Sequence, residues 1–239
     1  MKSALISEKI KCSHIGKHTL FRHLEKDHFE KVCAKAKLVK LRKNAPFLLN
    51  NEPASRVFFM ASGMAKLVSF SGADENSVKD IMVDGELFGD FSFTGSGMDG
   101  YVTGLKQNTY MFYFDASDLK KILQHHHILS LNYSEAISIK LRRLEERHLV
   151  WTNRDARLRL LYFFQVWVSI EGIRSGHSVI LENYLALSDI ADFIGVSRQF
   201  MHKMLKELKE ERLVYYSRKQ IILTDIFLSQ NLVRQKQVI

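Results

Sequence analysis

Proline is nearly absent from this chain: Pro46 and Pro53 are its only two in 239 residues. Helices can therefore run without interruption, and segment boundaries must be read from hydrophobic period. Cysteine is equally scarce. Cys12 and Cys33 both lie near the N-terminus, which makes no disulfide framework and fits a reducing, cytoplasmic compartment. Two thiols also fall short of the four ligands of an iron–sulfur cluster. No apolar run approaches the ~20 residues of a membrane span. Met1–Lys9 is polar and charged, unlike a signal peptide, so no membrane partner is expected. No histidine lies between His28 and His125. That gap removes the clustered histidines a metal-dependent barrel enzyme needs. No nucleophile–base constellation appears either, so an enzyme is not expected. Arginine is missing between Arg56 and Arg142.

Charge is present and unevenly spread. The formal net charge is +9. Residues 1–43 carry 12 Lys/Arg against 4 Asp/Glu, and residues 44–118 carry 4 against 10. Residues 197–239 carry 9 against 4. An acidic middle between basic ends suits a protein whose C-terminal region meets a polyanion such as DNA.

Hydrophobic period divides the chain. Leu20–Ala36 reads as a helix, with Leu20, Leu24, His28 and Val32 at helical spacing. From Val39 to Phe114 the texture is short apolar runs broken by turn residues, among them RVFFMAS, AKLVSFS, SVKDIMV and TYMFYF. Met111 and Tyr113 alternate with Phe112 and Phe114. Turn signals fall at 50–53, 71–74 and 84–85. This pattern predicts a small antiparallel barrel or sandwich. Helical period returns at Ser117 and persists to about Val168. Within it Tyr133, Ile137, Leu141, Leu144, His148 and Trp151 form one face of a helix about 25 residues long. Self-association is the expected use of that stripe, with packing against the barrel as the alternative. A pause at 151–153 suggests a hinge, with Asn153 capping a further helix from Asp155.

Residues 185–223 carry the functional signal: LALSDIADFIGVSRQFMHKMLKELKEERLVYYSRKQIIL. Ser188–Ile194 reads as a short helix, Gly195 as a tight turn, and Ser197 as the cap of a second helix to about Glu211. Met201, Met204, Leu205 and Leu208 form its apolar stripe. Arg198, Gln199, His202, Lys203 and Lys206 face the other way. LVYYSRKQIIL is then a strand, a basic turn at Ser217, Arg218 and Lys219, and a strand. The whole is a winged helix-turn-helix. Arg can pair bidentately with guanine and Gln with adenine, while the helix N-terminus and basic wing favour phosphate.

With these residues in view, the chain resembles the Crp–Fnr superfamily of bacterial transcription regulators. The likeness covers nearly its whole length and is strongest in IADFIGVSRQFMHKML. It implies an α+β protein in four parts: a basic helical segment (1–36), a cyclic-nucleotide-binding-like β-barrel of jelly-roll type (37–126), a dimerisation helix (127–153) and a winged helix-turn-helix domain (154–239). It further implies a homodimer reading a near-palindromic site in double-stranded DNA, with RNA polymerase as a partner. Arg198, Gln199 and Lys203 fall on the family's base-reading positions, where the cyclic-AMP receptor has Arg, Glu and Arg. Lys206 and Ser217 match phosphate-contact positions. The usual polar cap of the first helix is Ala186, its neighbour is Leu187, and Phe200 replaces a small hydroxyl residue.

The barrel departs from its cyclic-nucleotide-binding relatives. Gly85-Glu86-Leu87-Phe88-Gly89-Asp90-Phe91 matches the start of the family's nucleotide loop tolerably. Counting back from the last strand, Asp99-Gly100-Tyr101 stands where the phosphate-holding Arg-Ser pair belongs, and Asp99 would repel a phosphate. A divergent effector pocket around Gly89, Asp90, Phe91, Asp99, Gly100 and Tyr101 is expected, without cyclic AMP. Cys12, His14 and His18 have metal-like spacing but no fourth ligand. His125–His127 reads as a turn between helices. Neither a metal nor another cofactor is expected. A conventional cyclic-nucleotide-responsive regulator and an interaction module with a degenerate helix-turn-helix are the alternatives.

Overall fold

A computed structural model describes residues 8–43, 45–49, 55–71, 75–94, 98–153 and 155–229. The turn signals at 50–53 and 72–74 lie outside them. The chain divides into two compact units, Met1–Leu144 and Glu145–Ile239.

The first unit begins with α1 (Glu8–Ile15), a 3₁₀ turn (Thr19–Phe21) and α2 (Lys26–Lys35). The continuous helix expected over Leu20–Ala36 is thus broken. His23 adopts a left-handed φ of 63°, and Glu25 restarts the helix from an extended conformation. The break lets Leu20 and Phe21 enter the core while α2 buries Val32 and Cys33. The two cysteines are not separate thiols: Cys12 and Cys33 form a disulfide between α1 and α2, with their Cα atoms 6.1 Å apart. Spacing alone could not show that the two helices cross at these residues.

Among the described residues, eight strands follow: β1 (Lys37–Leu41), β2 (Phe47–Leu48), β3 (Arg56–Ser62), β4 (Met64–Ser71), β5 (Glu75–Val83), β6 (Leu87–Gly89), β7 (Tyr101–Gly104) and β8 (Thr109–Asp115). They form two antiparallel sheets in the orders β1-β8-β3-β6 and β2-β7-β4-β5, the expected jelly roll. Alternation places each side chain. Phe58, Met60, Met111 and Tyr113 point between the sheets. Val57, Phe59, Phe112 and Phe114 point the other way, into a second core closed by the helices. Both faces of β3 are therefore covered, and this explains its unbroken apolar run. Then come α3 (Ala116–His125) and α4 (His127–Asn153), with His126 as the turn between them.

In the second unit, α5 (Ala156–Glu171) is capped by Asp155, whose carboxylate accepts from the Leu158 N–H at 2.8 Å. The expected cap, Asn153, is instead the last residue of α4. A hairpin of β9 (Ile173–Ser175) and β10 (Ser178–Glu182) precedes α6 (Leu187–Ile194) and α7 (Arg198–Glu210). Strands β11 (Val214–Tyr216) and β12 (Gln220–Thr224) complete a sheet in the order β11-β12-β10-β9. Among the described residues, no helix is long and apolar enough to cross a membrane.

Candidate nucleic-acid interface

Helix α7 is presented by its own sequence. Gly195, at φ 70°, supplies the left-handed turn that ends α6, a conformation costly for a side chain with a Cβ. Ser197 then caps α7, its hydroxyl oxygen accepting from the Phe200 N–H at 3.1 Å. Met201, Met204, Leu205 and Leu208 are buried against the unit's core, each contributing roughly 1.5–3 kcal/mol by leaving water. That burial fixes the rotation of the helix. Arg198, Gln199, His202, Lys203 and Lys206 are left exposed on the opposite face. Lys203 and Lys206 lie only 4.0 and 3.9 Å from Glu207 and Glu210. Exposed pairs of this kind are worth a fraction of a kcal/mol and yield readily to a phosphate.

The wing is the turn between β11 and β12. Ser217 Oγ donates to the Gln220 carbonyl at 2.8 Å and accepts from the Lys219 and Gln220 N–H groups at 3.3 and 3.0 Å. Its hydroxyl thus shapes the turn, whereas the sequence reading assigns it to phosphate. Arg218 and Lys219 project from the same turn into solvent.

Three supporting residues escaped the sequence reading. Asn183 donates its side-chain amide to the Ser217 carbonyl at 2.8 Å, and its backbone N–H bonds to the Lys219 carbonyl at 2.9 Å. The wing is thereby tied to the segment before α6. Arg157 forms a two-pronged pair with Glu211 at the end of α7. This hydrogen-bonded pairing pushes the Glu211 carboxyl down and the Arg157 guanidinium up. Asp189 accepts the Ala186 N–H at 3.3 Å, partly replacing the polar cap that Ala186 cannot provide. An Asp three residues after the capping position Ala186 was the available signal.

The residues of the expected effector pocket each have local partners. Gly89 (φ 119°) and Gly100 (φ 140°) are packing positions: a Cβ on either would collide with the Arg56 or Val68 carbonyl oxygen. Asp90 is buried and accepts from Ser55 Oγ at 2.5 Å and from Ser92 N–H and Oγ at 3.1 and 2.7 Å. Its carboxylate organises the loop. Phe91 packs against the helical core, Asp99 is exposed, and Tyr101 meets the Phe70 ring at 6.0 Å. Residues 95–97 between them lie outside the described set. Cys12, His14 and His18 are also separated in role. His14 stacks on Tyr110. His18 is buried, accepting the Leu20 N–H through Nδ1 at 3.1 Å, and burial pushes its pKa down to about 4. No group of three His, Cys, Asp or Glu among the described residues is placed to hold a metal.

The stripe on α4 splits. Tyr133 is buried in the first unit's own core, Ile137 is partly buried against it, and burial with nearby Asp90 pushes the Tyr133 phenol up. Tyr133 therefore leaves the self-association set, because the N-terminal half of α4 covers β3 and β8. Leu141 stays 55 % exposed and Leu144 36 %. Trp151 packs edge-on against Phe193, 5.7 Å between ring centroids. Beyond Ile137 the contact with the barrel includes ion pairs. Asp80 of β5 meets Lys140 and, at 3.3 Å, Arg143, and Arg143 also meets Glu86. A cavity of about 190 Å³ lies beside this cluster, between the 3₁₀ turn, the 85–87 turn and α4.

Comparison with known proteins gives a consistent result. The chain is 24 % identical over 172 residues to the global nitrogen regulator of Synechocystis sp., covering 71 % of this chain and 76 % of that protein. It is 24 % identical over 182 residues to the global nitrogen regulator of Synechococcus elongatus, covering 75 % and 82 %. Among solved structures it resembles the c-di-GMP responsive global regulator CLP of Xanthomonas campestris (TM-score 0.69, 13 % identity, 84 % of this chain and 99 % of that one). It also resembles a variant of CooA from Carboxydothermus hydrogenoformans (TM-score 0.68, 20 % identity, 85 % and 89 %). No protein-family model matches the chain.

Proposed function

We infer that this chain, whose fold is that of the Crp–Fnr regulators, is a sequence-specific DNA-binding transcription regulator. The observation that carries this reading is α7: a helix locked by a buried apolar stripe and a serine cap, with Arg198, Gln199 and Lys203 exposed at its leading end. Arg198 would pair with a guanine and Gln199 with an adenine, each pair discriminating by ~1–3 kcal/mol. Lys206, Arg218 and Lys219 would contact phosphates, with His202 at the edge of the same surface. Ser217 would serve by shaping the wing. The curated relatives are named as regulators, and no enzymatic activity is proposed.

The working form would be a homodimer, placed in the cytoplasm by its DNA partner alone, because the Cys12–Cys33 disulfide removes the argument from free thiols. The exposed Leu141 and Leu144 support pairing through α4, since an apolar helix face lowers its free energy by meeting a copy of itself. The two α7 helices would then read a near-palindrome whose half-sites lie about 34 Å, one helical turn, apart. RNA polymerase is the natural protein partner. Control by cyclic AMP is not proposed: Asp90 is occupied within its loop, and Asp99 stands where the phosphate-holding arginine would be needed. The chain boundaries 1–36, 37–126, 127–153 and 154–239 remain the proposed functional division.

Selection from random duplexes by the purified protein without added ligand tests the reading. Enrichment of a near-palindrome is expected. Recovery of unenriched sequence would refute it.

A further inference from the structure

Phe200 is 44 % exposed in the first turn of α7, on a helix whose other exposed residues are polar or charged. The Ser197 hydroxyl holds its backbone N–H at 3.1 Å, so its position at the leading end of the helix is fixed. At ~100° per residue, Phe200, Lys203 and Glu207 run along one edge of the exposed face, and Arg198, His202 and Lys209 along the other. Phe200 therefore stands next in sequence to Gln199 and one turn before Lys203. The core is already filled by Met201, Met204, Leu205 and Leu208, and much of the Phe200 ring is left in water. In the major groove, the apolar group that distinguishes one base pair from another is the 5-methyl of thymine.

We propose that Phe200 is a specificity-determining residue that packs on a thymine methyl in each half-site. This rests on the reading of α7 as the DNA-recognition helix. The charges around the ring agree with a polyanionic partner: Lys206, Arg218 and Lys219 would meet the phosphates that flank the groove, while Arg198 and Lys203 stay with Gln199 on the base-reading face beside the ring. Gln199, suited to adenine, points to A·T pairs in the same part of the half-site. Phe200 thus adds a methyl-reading contact where a hydroxyl residue would have contacted the backbone.

The test uses the duplex recovered by selection. Each thymine is replaced in turn by deoxyuridine, which removes the methyl and keeps every hydrogen bond and charge. The unaltered protein should lose about 4- to 10-fold in affinity at one position per half-site, the scale of one buried methyl. The Phe200→Ala variant should bind the thymine duplex more weakly and be indifferent to deoxyuridine at that position. Its melting temperature should fall only slightly, since much of the ring is in water. Equal affinity of the unaltered protein for all deoxyuridine duplexes would overturn the proposal. So would a Phe200→Ala variant weakened equally on every duplex, which would place the ring on the sugar–phosphate backbone. If the unaltered protein selects no duplex, the DNA reading itself falls, and this is seen before any deoxyuridine is introduced.

Discussion

Substituting Asp80 by Asn should destabilise the barrel unit far more than a surface change would. Asp80 is 3 % exposed and Lys140 9 %. The Asp80 carboxylate meets the Lys140 ammonium and, at 3.3 Å, the Arg143 guanidinium, and it accepts its neighbour Ile81's N–H at 3.0 Å. Arg143 donates further to the Ile81 carbonyl at 2.9 Å. Asn keeps the shape and removes the negative charge, leaving two cations facing inward, of which Arg143 keeps its pair with Glu86. Removing one partner of a buried pair costs ~3–5 kcal/mol, whereas replacing both by neutral groups costs much less. Asp80→Asn should therefore lose about 3 kcal/mol. Lys140→Met should lose less, since Arg143 still faces Asp80. The double variant should fall short of the sum by ~1 kcal/mol or more. Urea unfolding followed by far-UV circular dichroism reads each value. A loss under ~0.5 kcal/mol for Asp80→Asn, or strict additivity, would refute the clamp.

Three further outcomes are expected. His18 is held at about 4 by burial against an ordinary 6.5. Between those values the unfolded chain binds the extra proton, so this contribution to stability is whole above pH ~6.5 and is lost as pH falls towards 4, by up to ~3 kcal/mol. Melting curves from pH 7 to 4.5 should show a shallower acid loss in His18→Gln; identical slopes would contradict it. DNA affinity should fall steeply with salt as counterions are released, and Lys206→Ala should weaken binding to all sequences while reducing that slope by about one; an unchanged slope would remove Lys206 from the phosphate contacts. Millimolar cyclic AMP should leave the melting temperature in place, and a stabilisation of several degrees would show that the loop around Asp90 and Asp99 takes the nucleotide after all.

Local rules carried the sequence reading where the chemistry is local. The period of Met201, Met204, Leu205 and Leu208, the Ser197 cap and the Gly195 turn each act within a few residues, and α7 lies where they placed it. Alternation in TYMFYF likewise sorted Met111 and Tyr113 from Phe112 and Phe114. What escaped depends on residues far apart in the chain. Asp80 and Lys140 are ordinary surface types until β5 and α4 bury them together. Cys12 and Cys33 become neighbours only when α1 crosses α2. Tyr133 fits a self-association stripe by period, yet period cannot say which surface covers it. The resemblance sets Gly89 and Gly100 in an effector pocket; what it does not show is that both glycines admit the close approach of neighbouring backbone.

The reading of α7 faces its most direct trial in the affinities of the unaltered protein and of Arg198→Ala for the selected duplex and for every single-base variant of it. The unaltered protein should discriminate at one guanine per half-site by ~1–3 kcal/mol, and Arg198→Ala should lose that discrimination there while keeping it elsewhere. If Arg198→Ala weakens specific and random duplexes alike and leaves the base preferences untouched, then Arg198 is not reading a base, and the assignment of α7 as the recognition helix is contradicted.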